Sequence, residues 1–162
     1  MTPPEVLSIS RDSKHVQAVM QAGLTCGVLD ITAAFVVYGG AFGVPPLRLL
    51  QGIASGLLGV QAAVEGGIPT AILGLACHFF IALSAATVYY VTSRRIGFLV
   101  EHAAISGVLY AIAVYFFMQK VVLPLSAAAP RTYSLKLMLI GIVIHIFCVG
   151  LPISLTIRKY SV

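Results

Sequence analysis

Charge is what this sequence most lacks. Only 9% of its 162 residues are Asp, Glu, Lys or Arg, and five of them are acidic, too few to solvate the surface of an aqueous domain of this length. Cysteine is scarce as well. Cys26, Cys77 and Cys148 each fall inside an apolar run, so they read as small buried side chains with no disulfide framework, and no redox compartment follows from them. There is no glycine loop built for phosphates and no CxxC or HxxxH metal spacing, and no nucleophile and base can be assembled from the loops. Those absences argue against an enzyme and against a metal site. The first sixteen residues hold Glu5, Asp12 and two prolines but no apolar signal core, so the first span itself is expected to drive insertion.

What is abundant is apolar length. Hydrophobic residues make up 59% and the mean hydropathy is +1.01, which makes the bilayer the solvent for most of the chain. The stretch TAILGLACHFFIALSAATVYYVT, Thr70 to Thr92, is uncharged and is followed by Arg94-Arg95, long enough to span and anchored at one end. Ala71, Gly74, His78, Ala82, Ala85 and Tyr89 recur on one face of it, small enough to pack on protein, while Ile72, Leu73, Phe79, Phe80 and Leu83 suit lipid or a neighbouring helix. Three other runs repeat the design. The expected architecture is all-α: a polytopic membrane protein forming a four-transmembrane-helix bundle, one domain over 1–162, with a polar leader over about 1–15 and spans at about 16–38, 70–92, 103–123 and 137–157.

Asp12 or Ser13 is expected to cap a helix starting near His15. In the first span Gly23, Cys26, Gly27, Asp30 and Ala34 share a face, which points Asp30 into protein. Between spans 1 and 2, PPLRLLQGIASGLLG is expected to form a short interfacial helix, with Leu47, Leu50, Ala54, Leu57 and Leu58 on its buried side and Arg48, Gln51 and Ser55 on its solvated side. A fifth span is the competing reading, but Arg48, Gln51 and Glu65 leave too short a clean run. Pro124 closes the third span, and Pro152 bends the fourth. Basic residues divide as Arg11, Lys14, Arg94, Arg95, Arg158 and Lys159 on one side against Arg48, Lys120, Arg131 and Lys136 on the other, which places both termini in the cytoplasm. Read this way the basic residues orient helices, and nucleic acid is not an expected partner.

Counted from the outer ends, Asp30, His78, Tyr115 and His145 each lie about seven to nine residues in, roughly 12 Å deep at 1.5 Å per residue. An ionisable group there is expensive unless paired, so Asp30 is expected within direct or water-bridged reach of His78 or His145. The belt admits four readings: a satisfied structural cluster, a path for protons or a small solute, imidazole binding of a haem or chlorin, and a metal site made with the cysteines. The tetrapyrrole reading rests on Gly74 and Gly141, each four residues before a His and so opening room for a flat ring beside His78 or His145. Tyr89, Tyr90 and Tyr133 stand near span ends, where tyrosine anchors to the interface. Glu101 in a first helical turn suits the helix dipole.

The segments GVPPLRLLQGIASGLLG, LGLACHFFIA and HIFCVGLPISLTIRK, with the loop pattern and the His placement of spans 2 and 4, resemble small four-span bacterial inner-membrane proteins such as the YagU-like group, over roughly residues 20 to 160. That resemblance implies a bacterial inner (cytoplasmic) membrane and a part in membrane homeostasis or stress tolerance, and it brings no catalytic residue. The expected function is a non-catalytic accessory or scaffold subunit that associates with lipid and with other membrane subunits or itself. The alternatives are a homo-oligomer that translocates protons or a small solute, and a tetrapyrrole-binding subunit.

Overall fold

A computed structural model describes residues 4–129 and 134–161, with side chains from Lys14 onward. Four helices are long and apolar enough to cross a membrane: Lys14–Phe42, Gly67–Ser93, Ala103–Leu125 and Leu135–Ser161. No strand occurs among the described residues. The protein is an all-α, multi-pass membrane protein, and the outward faces of its spans contact lipid; Ile72 and Phe80 of span 2, for example, are 64% and 72% exposed.

The helix of span 1 does not begin near His15. It is already helical from Pro4, so positions 12 and 13 lie within a turn rather than before one; the side chains of Asp12 and Ser13 are outside the described residues, as are Arg131 and Tyr133. Hydropathy marks where a helix enters the bilayer, and hydrogen bonding lets it continue beyond that point. Each of spans 1, 3 and 4 contains one widened π-helical turn, Phe35–Gly39, Met118–Val122 and Ile146–Gly150. The last two end two residues before Pro124 and Pro152. A proline has no N–H and its ring strikes the carbonyl four residues back, and a wider turn moves that carbonyl aside without ending the helix.

Span 1 packs on spans 2 and 4, and span 3 packs on span 4, giving the spatial order 2-1-4-3. The core is built from spans 1, 2 and 4 by Ala22, Cys26, Ala82, Ala86, Tyr89, Val149, Ile153 and Ile157. Small residues let backbones approach at these crossings. Gly23 and Gly27 receive Leu83 and Phe79 of span 2, while Gly107 and Gly150 meet backbone to backbone between spans 3 and 4.

The short helix between spans 1 and 2, Pro46–Leu58, starts from the extended Pro45 and ends at Gly59, whose φ of +78° glycine accepts most readily. A second short helix, Val60–Glu65, leads to span 2. The first packs across span 2 at Gly74, where the Leu50 carbonyl and Ala54 nitrogen stand where a Cβ would be. Ala54 is buried and Arg48 exposed as expected from the sequence, but the rest of the two faces departs from it. Gln51 and Ser55 are buried at 2% and 6% exposure, whereas Leu47, Leu57 and Leu58 are exposed. In hydrocarbon a leucine gains little by leaving lipid for protein, but an amide must find protein partners.

Candidate functional site

Three of the four residues of the expected belt fall into two separate contacts. His78, in the middle of span 2, has its Nε2 2.9 Å from the Gly27 carbonyl of span 1, and Phe79 beside it fills the space over Gly27. On the other side of the bundle Tyr115 of span 3 meets His145 of span 4 edge to face, with ring centroids 5.3 Å apart, while His145 Nδ1 lies 2.9 Å from the Gly141 carbonyl of its own helix. Asp30 joins neither pair. It is half-buried and makes no hydrogen bond or ion pair among the described residues, although it lies within electrostatic range of Cys26 and Cys148. The expected direct Asp–His pairing is therefore not formed. Depth along a span fixes a layer, but the direction in which a side chain points inside that layer depends on which helices are neighbours.

The space that the tetrapyrrole reading needed is occupied. Gly74 holds the backbone of the Pro46–Leu58 helix, and Gly141 holds the ring of Tyr115. Neither glycine face retains room for a flat macrocycle beside its histidine. Among the described residues no three His, Cys, Asp or Glu side chains gather as a metal set, and Cys26, Cys77 and Cys148 are free thiols.

The polar side chains that tie helices together lie elsewhere. At the end of the bundle where span 1 ends and span 2 begins, Gln51 Nε2 donates to the carbonyls of Val64 (3.3 Å) and Gly67 (3.0 Å), and Arg48 Nη1 reaches Gln51 Oε1 at 3.5 Å. With Ser55, Val60, Val64 and Ala128 these residues wall a crevice of ≈ 260 Å³. The same helix is held to the end of span 3 by a bond from Ala127 N to the Gly56 carbonyl.

At the opposite end, Tyr89 is 1% exposed and donates to the Leu99 carbonyl at 2.9 Å. It is a core residue, not an interfacial anchor, as its place on the small face of span 2 requires. Tyr110 of span 3 stands edge to face against it at 5.0 Å and donates to the Ala85 carbonyl at 2.7 Å. Tyr90 Oη and His15 Nδ1 lie 2.6 Å apart. Glu101 is exposed in the one-turn helix Phe98–Glu101, next to His102, which stacks on Phe98 at 4.5 Å. The Tyr89–Tyr110 cluster, with Ser106 and Ser154 close by, escaped the sequence reading. Its one visible signal was that Ser106 and Tyr110 stand four apart and so share a face of span 3.

Comparison with protein-family models, with curated proteins and with solved structures finds no match. The class rests on the fold alone: a multi-pass, all-α membrane protein of four spans.

Proposed function

We propose that this chain is a non-catalytic scaffold or accessory subunit of a larger membrane assembly, built with copies of itself or with other membrane subunits. We place it in a bacterial inner membrane with both termini in the cytoplasm, alongside the YagU-like four-span proteins it resembles. The observation that carries this reading is the unequal treatment of polar groups. His78, Tyr89, Tyr110 and Gln51 each bond a backbone carbonyl of another segment, which is packing work, whereas Asp30 is left without a hydrogen bond or ion pair among the described residues. A carboxyl at that depth is costly unless something outside the single chain satisfies it. A neighbouring subunit that brings a donor to Asp30 meets that requirement.

The test is the native mass of the complex extracted directly from membranes into mild detergent or lipid discs. The expected result is an assembly larger than one 162-residue chain, weakened by Asp30→Leu and retained by Asp30→Asn, which keeps a polar side chain for the same partner. A single chain with no companion, or an assembly indifferent to Asp30→Leu, refutes the proposal.

A further inference from the structure

Tyr110 of span 3 bonds the Ala85 carbonyl of span 2, and residues of both spans wall the space beside that contact. It forms a cleft of ≈ 390 Å³ whose walls include Tyr89, Thr92, Leu99, Ser106, Leu109 and Tyr110, within the size range of small-molecule sites, about 300–1,000 Å³. The surface it presents is almost wholly apolar, and the hydroxyls of Tyr89, Thr92 and Tyr110 in its walls each donate to a backbone carbonyl. Ser106 is 2% exposed, and its Oγ is the single buried side-chain polar atom without a hydrogen bond among the described residues. It lies near the Tyr89 hydroxyl, which donates to Leu99 and could still accept from Ser106, but the two do not reach bonding geometry. Other span hydroxyls behave differently: Ser84, Thr87, Thr92, Ser93 and Ser154 all donate to a carbonyl of the preceding turn. Ser106 has the same option and does not take it, which leaves a desolvated donor in the wall of an apolar cleft.

Depth and charge say what fits there. Ser106 is the fourth residue of span 3, about 5 Å in from its end at 1.5 Å per residue. The interfacial layer, where ester carbonyls of lipids reside, adds about 5–8 Å to the hydrocarbon core on each side. Arg94 and Arg95, both exposed, lie in the turn between Thr92 and Ile96, two residues that line the same cleft. We propose that this cleft binds one anionic glycerophospholipid of the adjoining leaflet. An acyl chain runs between spans 2 and 3, an ester carbonyl accepts from Ser106 Oγ, and the phosphate faces Arg94 and Arg95. This goes beyond the scaffold reading and does not depend on it.

The experiment uses the full chain in lipid discs with a photoactivatable phosphatidylglycerol, and maps the adducts by peptide mass. Adducts should concentrate on residues 89–113. Ser106→Ala should lower their yield about two- to tenfold, the range for one net hydrogen bond, while leaving the fold intact because the hydroxyl has no protein partner to lose. Leu109→Trp, at a position already 60% exposed, should block the cleft and abolish them. Arg94→Gln with Arg95→Gln should remove the preference for phosphatidylglycerol over phosphatidylcholine. Adducts spread evenly over all four spans, or unchanged in Leu109→Trp, overturn the site. Equal labelling by phosphatidylcholine in the unmodified protein, or displacement by free fatty acid as effective as by phosphatidylglycerol, overturns the assigned occupant.

Discussion

Gly74→Ala adds one methyl group at the point where the Pro46–Leu58 helix crosses span 2. The new Cβ would lie 2.8 Å from the Leu50 carbonyl carbon and 3.2 Å from the Ala54 nitrogen, with the Leu50 oxygen closer still. These are backbone atoms of a helix, so relief requires the helix to move as a unit. Overpacking of this kind typically costs about 1–3 kcal/mol. Alanine also favours a helix interior over glycine by up to about 1 kcal/mol, which offsets part of the loss and must be controlled. Gly52→Ala provides the control, because it carries the same propensity gain in a helix interior while its Cβ meets nothing within 4 Å. The two variants should therefore differ by the overpacking alone, about 1–3 kcal/mol, or roughly five- to 150-fold in the unfolding constant. Reversible unfolding by sodium dodecyl sulfate in mixed micelles measures that difference. If Gly74→Ala and Gly52→Ala unfold alike, the helix is not seated on span 2 as described.

Tyr110→Phe deletes the bond from its hydroxyl to the Ala85 carbonyl and should destabilise by about 0.6–2 kcal/mol, the range for interhelical bonds in membranes; the same unfolding assay shows an unchanged midpoint if the bond contributes nothing. His78→Ala removes the link to Gly27 and should have an effect of similar size, whereas His145→Gln, whose ring nitrogen bonds only its own helix, should have less. An equal loss in both would contradict the separation of the two histidines. With Cys26, Cys77 and Cys148 replaced by alanine, single cysteines at Arg94 and Ser126 should react with an impermeant maleimide from opposite sides of the membrane, and reaction from one side would reject the four-span topology.

The spans were legible because a run such as residues 70–92 has no stable place outside a bilayer, whatever it later packs against. The small faces were legible too. Ala71, Gly74, Ala82 and Tyr89 are buried as their spacing implies, since only small side chains permit close helix approach. What hydropathy does not carry is angle. Gln51 faces protein instead of water because an amphipathic pattern looks the same whichever side is wet. His78 turns to span 1 while His145 meets Tyr115, although both follow Gly-x-x-x-His, because their spans have different neighbours. In span 4 the π-helical turn Ile146–Gly150 also shifts the phase of a helical wheel, so Ile153, Ser154 and Ile157 are the buried residues after it.

The burial of Gln51 and Ser55 in the Pro46–Leu58 helix sets an order of events during synthesis. Alone on a membrane, this segment would roll its leucines into the lipid and its glutamine toward water. Its final place needs acceptors at Val64 and Gly67 and the seat at Gly74, none of which exists when Leu58 is made. Some 35 further residues must follow before span 2 is complete at Ser93, about 2–7 s at ~5–20 residues per second. During that interval the segment is a provisional passenger at the surface, to be withdrawn when its seat arrives. Chains truncated after residue 66 and released into the membrane should leave a cysteine at position 55 open to aqueous maleimide, and chains truncated after residue 93 should protect it; protection already in the shorter chain would mean the helix finds its orientation without span 2.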